Sequence, residues 1–205
     1  MTNKIKVIVF DLGNVLIPFD YGRLIKSMNR IDDGLGDRFA KKYYDNYHVH
    51  REYEKWELSN DEFIKIMIEW TENKIQEEDL KHIYADLFVE NKDTTALLPI
   101  LKQNYKLVLL SNTNFIHQKY GWEKYGFLKY FDKLILSHEV GAIKPEEKIY
   151  SAVEEFTNEL PLSHIFIDDI AEYVEGAKTC GWEAIQFTTH KNLLSDLKTF
   201  NIITE

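Results

Sequence analysis

Paired cysteines, a basic surplus and long apolar runs are all missing from this chain, and each absence narrows what it does. A single cysteine, Cys180, stands among 205 residues, so no internal disulfide can form and a reducing compartment is expected. No apolar stretch approaches the roughly 20 residues that a membrane-spanning helix needs. The opening "MTNKIKVIVFD" lacks the features of a cleavable signal, and the cytoplasm is the expected location. Lys and Arg number 25 against 34 Asp and Glu, a formal charge of −9. That balance argues against a nucleic-acid partner, which favours a basic face. It leaves an anionic small substrate open, because one metal ion or lysine reverses the local field. Internal repeats and low-complexity linkers are also missing. What remains is 44% hydrophobic and 29% charged, a soluble globular composition with room for one large domain or a core with a modest insertion.

The apolar β-branched runs are short: "IKVIVF" (5–10), "KLVLL" (106–110), "KLILS" (133–137), "HIFI" (164–167) and "EAIQF" (183–187). Such runs bounded by polar residues read as strands buried on both faces, hence a parallel sheet. Residues 115–125, 145–158 and 171–180 carry apolar residues at helical spacing, the last ending at Gly181 as a C-cap. Strand and helix in alternation predict an α/β fold with a doubly wound parallel sheet. Residues 20 to about 103 break the rhythm: they hold no good strand but several amphipathic helical stretches, such as "DEFIKIMIEW" with Ser59 or Asn60 as N-cap. A crossover needs only about a dozen residues. The surplus predicts a helical insertion over 20–90, with 1–19 and 91–205 forming the α/β core.

In a doubly wound sheet function gathers at the carboxyl ends of the strands. The residues there are Asp11, then Ser111, Asn112 and Thr113, then Lys144 in "GAIKPEEKIY", then Asp168 and Asp169. Each has an ordinary structural reading. A lone Asp caps a turn, a Ser-Asn-Thr-Asn cluster caps a helix, and a lysine before proline sits in a solvated loop. The adjacent acids resist that reading most, since they repel unless a cation lies among them. Together the residues make coherent chemistry. Asp11 and Asp169, with a backbone carbonyl near residue 13, are hard ligands for Mg²⁺. Asp11 is also a nucleophile toward phosphorus. Ser111 and nearby backbone amides suit phosphate oxygens, and Lys144 neutralises shared charge.

The ordered set "FDLGNVL", "LLSNTN", "GAIKPEEKIY" and "FIDDIAEYVEGAKTCGW" resembles the haloacid dehalogenase-like hydrolase superfamily. It is most similar to the phosphatase branch that includes bacterial glucose-1-phosphate phosphatases and the amino-terminal domain of soluble epoxide hydrolase. The resemblance implies a Rossmann-like core with an inserted helical cap. It implies Asp11 as nucleophile and Mg²⁺ ligand, Gly13 as carbonyl ligand, and Ser111 and Asn112 as phosphate holders. It further implies Lys144 as the charge-compensating lysine, Asp169 as the direct acidic ligand and Asp168 as an indirect one.

Two positions depart from the pattern. Relatives carry aspartate two residues after the nucleophile, as general acid, where this chain has Gly13; losing such a group costs about 10²–10⁴ in rate. The chain is then a phosphatase with another proton donor or an undemanding leaving group, a relative with different chemistry, or a weak enzyme serving as a binding protein. Asp20 is one substitute donor, though a helix N-cap suits it better. Tyr173 stands where relatives show asparagine. The paired acids count against true dehalogenation, whose fourth motif lacks them. In the insertion, His48, His50 and Arg51 read as a solvated helix face, with substrate recognition second; two histidines alone make a poor zinc site. Trp56 replaces a glycine of relatives and is expected to pack within the insertion. The expectation is therefore a Mg²⁺-dependent phosphomonoester hydrolase for a small phosphorylated metabolite, sugar phosphates first, working through an aspartyl-phosphate. The alternative is a non-catalytic or weakly active binding or regulatory protein, with a haloacid dehalogenase behind both. Neither a nucleic acid nor a membrane is an expected partner.

Overall fold

The apolar runs become five strands: β1 (Val7–Phe10), β2 (Lys106–Ser111), β3 (Lys133–Leu136), β4 (His164–Asp168) and β5 (Glu183–Gln186). This is a computed structural model describing residues 5–202. Residues 1–4 and 203–205, the outer ends of the expected core segments and signal-free terminus, lie outside the described residues. All pairings are parallel, in the order β3-β2-β1-β4-β5. Phe10 lies beside Leu109 and Ile167, so Asp11 leaves the sheet at its centre, with its N–H bonded to the Ile167 carbonyl at 2.9 Å. Burial on both faces holds for β1 and β4 throughout. The edges are wetter: Lys133 on β3 and Glu183 and Gln186 on β5 are exposed. An edge strand has only one neighbour, and its outer side chains reach water.

The chain leaves this core after β1 and builds five helices in succession. They are α1 (Tyr21–Asn29), α2 (Leu35–Asp45), α3 (Tyr47–Glu54), α4 (Asn60–Trp70) and α5 (Glu77–Ala85). Asp20 caps α1 by accepting from the Gly22 N–H. Ser59 caps α4 in a reciprocal box with Glu62. Leu24, Phe39, Phe63, Met67 and Leu80 bury their faces in an apolar cluster separate from those of the sheet. The outgoing and returning segments run side by side, joined by an antiparallel bridge between Phe19 and Phe88. Asp20 N–H to Leu87 C=O and Val89 N–H to Pro18 C=O, at 2.8 and 3.1 Å, complete that link.

Short turns α6 (Lys92–Thr95) and α7 (Leu98–Leu101) lead to β2, and α8 (Ser137–Val140) follows β3. Longer helices are α9 (Glu147–Thr157), α10 (Ala171–Thr179) and α11 (His190–Thr199). Strand side chains alternate between faces. Val7, Val9 and Phe166 meet Ile149, Val153 and Ala177 of α9 and α10 on one side. Ile8, Phe10 and Ile167 meet Leu98, Leu193 and Leu197 of α7 and α11 on the other. The sheet is doubly wound. Gly181 follows α10 with φ +85, a backbone state that glycine takes freely. Helix α11 is not among the expected helices, although Leu193, Leu194 and Leu197 behind Thr189 carry its spacing. No described helix is long and apolar enough to cross a membrane.

Two expectations for the insertion are corrected. Trp56 is 47% exposed rather than packed, because the chain turns there with φ +60 and throws the ring outward, beside His138. His50 is buried, while His48 stays exposed. Position 50 shares the inner face of α3 with Tyr53 and Glu54, three and four residues on.

Candidate active site

Asp11, at the end of β1, is buried and bonded through Oδ1 to Lys144 Nζ at 2.6 Å. The same ammonium reaches Asp168 Oδ2 at 2.6 Å, and Lys144 is only 1% exposed. Asp168 Oδ1 accepts the Ile170 N–H at 2.8 Å, so both of its oxygens are engaged. Asp169 is less buried and accepts from Asn14 Nδ2 at 3.0 Å. The Gly13 carbonyl receives the Val15 N–H at 2.6 Å, which leaves a second lone pair.

Burial pushes the Asp11 carboxyl up to about 7; Lys144 pulls against it, and Asp168 and Asp169 add to it. Asp169 moves the same way, first by burial, with Asn14 opposing. Burial acts to discharge Lys144, but Asp11 and Asp168 outweigh it and hold the ammonium above its ordinary value. Asp11, Asp168 and Asp169 each offer an oxygen within 4.8 Å of the others. Three carboxylates against one ammonium leave negative charge unbalanced, and an all-oxygen set suits a hard cation such as Mg²⁺. The residues present fit that ion.

Asn112 performs a task not visible in its motif. Its Oδ1 accepts the Lys144 N–H at 2.7 Å, and its Nδ2 donates to the Lys144 carbonyl at 3.2 Å and to the Tyr173 hydroxyl at 3.3 Å. Its carboxamide is thus committed to the lysine loop. Ser111, buried beside it, has among the described residues only a 3.4 Å side-chain contact with the Asn112 carbonyl. Thr113 is fixed through Ser137, whose Oγ accepts its N–H and donates to its carbonyl.

These groups line a cavity of about 120 Å³ whose far wall comes from α1 and α3. On that wall Glu54 accepts from Arg51 Nη1 at 3.0 Å and meets His50 Nε2 at 3.2 Å. Burial pushes Glu54 up, but His50 and then Arg51 outweigh it and hold the carboxyl below its ordinary value. His50 Nδ1 meets the hydroxyls of Tyr43 and Tyr84 at 2.6 and 3.1 Å. His117 stacks on Tyr84 at 4.3 Å, and burial, with His50 adding, pushes its imidazole down to about 3. It sits where the segment expected to be a plain helix widens into π-helical turns, His117–Trp122. Such turns gather at functional sites.

The structure therefore brings Asp11, Gly13, Ser111, Asn112, Lys144 and Asp169 to one cavity, with Asp168 directly behind the lysine. Sequence reasoning missed Asn14, Phe19, Glu54 and His117, all on the cavity wall. Asn14 alone left a trace: asparagine tolerates its φ of +52 better than other side chains.

A family model described as haloacid dehalogenase-like hydrolase matches residues 5–181. The chain belongs to that family. It is 31% identical over 193 residues to a D-ribitol-5-phosphate phosphatase of Bacteroides thetaiotaomicron, covering 89% of this chain and 91% of the relative. Over 128 residues it is 29% identical to a phosphorylated carbohydrates phosphatase of Thermotoga maritima, covering 62% and 59%. Among solved structures, a family enzyme of Bacteroides thetaiotaomicron in complex with magnesium and inorganic phosphate superposes with a TM-score of 0.78 at 29% identity, covering 90% of this chain and 94% of that one. This haloacid dehalogenase-like hydrolase is an enzyme of the phosphatase branch.

Proposed function

We propose that this enzyme is a Mg²⁺-dependent phosphomonoester hydrolase acting on a small phosphorylated carbohydrate through an aspartyl-phosphate. The observation that carries this reading is Asp11, buried at a strand end, paired with Lys144 at 2.6 Å and facing one cavity with Asp169. Mg²⁺ held by Asp11, Asp169 and the Gly13 carbonyl would supply positive charge against the phosphate.

The chain's own residues do the rest. Lys144 binds Asp11 Oδ1, leaving Oδ2 as the attacking oxygen. Two of the three ammonium protons go to Asp11 and Asp168; the third remains for a phosphate oxygen. Ser111 and Asn112 border the same space. Residues 20–90 act as a cap, and Arg51 and Glu54 on its inner wall offer a donor and an acceptor suited to sugar or polyol hydroxyls. The carbohydrate class is supported by the substrates named for the two phosphatase relatives.

The test is phosphate release from a panel of polyol, sugar and nucleoside phosphates, with Mg²⁺ and with chelator. Turnover of sugar or polyol phosphates only with Mg²⁺ is the expected result. Release that is indifferent to chelator, or confined to nucleoside phosphates, would overturn the proposal.

A further inference from the structure

Tyr173 on α10 is 9% exposed and lines the cavity. Its hydroxyl accepts from Asn112 Nδ2 at 3.3 Å. The orientation of Asn112 is settled by its other bonds, since its Oδ1 accepts the Lys144 N–H. The Arg51 guanidinium, across on α3, also interacts electrostatically with Tyr173. Both neighbours are donors, and a guanidinium has nothing but donors. A phenol facing two donors keeps its own O–H proton, and among the described residues no acceptor for that proton is found. The ring is held in place, with Lys144 Nζ 5.0 Å from its centroid.

Tyr21 and Tyr47 also line the cavity, but burial and then the Glu54 carboxylate push both phenols up, which makes them poorer proton donors. Gly13 has no side chain, and the Phe19 ring fills the space beside it. His50 has both ring nitrogens engaged, by Tyr43 and Tyr84 on one side and Glu54 on the other. The His117 imidazole is neutral, meets Asn114 through Nδ1 and interacts with the Tyr84 backbone, and a neutral imidazole does not readily yield its N–H.

We propose that the Tyr173 hydroxyl is the proton donor to the leaving-group oxygen, a role that position 13 cannot fill in this chain. The inference rests on the phosphatase reading above. As Asp11 Oδ2 bonds to phosphorus, the ester P–O bond breaks. Its electron pair stays on the leaving oxygen, which takes the Tyr173 proton and departs as an alcohol. The phenolate left behind faces the Asn112 N–H and the Arg51 guanidinium, which stabilise it. In the second half, water oxygen bonds to phosphorus while the Asp11–phosphorus bond breaks. The phenolate takes one proton of that water, so Tyr173 and the Asp11 carboxylate are both restored.

The test compares leaving groups. Wild type and Tyr173→Phe are assayed with Mg²⁺ on p-nitrophenyl phosphate, whose leaving group needs no proton, and on the alkyl phosphate that wild type hydrolyses fastest, beginning with D-ribitol 5-phosphate. The ratio of alkyl to aryl kcat is expected to fall about 10²-fold or more in the variant. An equal change on both esters would overturn the proposal. Tyr173→Asn, with the residue more usual at this position, should show the same selective fall. A measurement on wild type alone guards against a variant that fails to fold: kcat across a series of alkyl and aryl phosphates should depend weakly on leaving-group acidity. A steep dependence, or turnover of aryl phosphate with no alkyl ester cleaved, would also overturn it. Wild type inactive on every ester would instead remove the phosphatase reading, and Tyr173 with it.

Discussion

The ring of Phe19 stands where a side chain at position 13 would have to go: a β-carbon built on Gly13 would lie 2.5 Å from its Cζ and 2.8 Å from its Cε2. Phe19 is held there by Tyr21 and Phe88, at ring distances of 6.0 and 5.6 Å. The ring and a side chain at position 13 cannot share that space as the protein stands.

Restoring the acid alone should therefore fail. Gly13→Asp is expected to lower stability by about 1–3 kcal/mol, as overpacking does, with no gain on alkyl phosphates. Gly13→Asp combined with Phe19→Ala should recover stability and raise alkyl ester turnover above that of Phe19→Ala. Thermal melts and steady-state rates on the three variants decide it; a single Gly13→Asp that outperforms wild type would refute the steric account.

Saturating Mg²⁺ should raise the melting temperature by roughly 5–10 °C, the shift expected from mass action on a chain of this size. Asp169→Asn should abolish most of that rise. An undiminished shift in the variant would take Asp169 out of the metal site.

His117 links stability to acid. Its imidazole titrates near 6.5 when unfolded and near about 3 in the native protein. Between those values the unfolded chain binds a proton that the native one refuses, so its contribution is full above 6.5 and is lost as pH falls toward 3. The slope is about 1.4 kcal/mol per pH unit. Urea titrations at pH 7 and pH 5 should show wild type losing about 2 kcal/mol more than His117→Gln. Equal losses would mean that His117 titrates normally in the folded state.

Trp56 holds φ +60, a conformation costing a non-glycine residue about 1–2 kcal/mol. Glycine there gives back part of the gain through its freer unfolded chain, about 0.5–1 kcal/mol. Trp56→Gly should raise stability by up to about 1 kcal/mol, seen as a melting temperature roughly 2–4 °C higher. A lower value would show that the contact of the ring with His138 outweighs the strain.

The strands and the strand-end acids were legible because each is a local pattern: a buried run, then a carboxylate where the run stops. The relations that give those residues their environment are not local. Lys144 and Asp11 are separated by 133 residues, Asn14 and Asp169 by 155. The burial of His50 depends on Tyr84 arriving from α5, and the outward turn of Trp56 on backbone that no spacing announces. Helix α11 was missed for a different reason: its three leucines fill a single stripe over barely three turns, too short for periodicity to stand out. Tyr173 was legible as a departure, but its partners were not, since they come from the residue after β2 and from α3.

Asn112 meets Lys144 as one peptide group meets another across a ladder, giving an N–H and taking one. The carboxamide behaves as a single-residue extension of the sheet, and it stitches the lysine loop to the neighbouring strand end. Aspartate could return only the accepting half of that stitch, and glutamine would carry it one carbon too far. Positions 112 and 144 therefore act as one unit written in two places. A change at the first moves the charge delivered by the second.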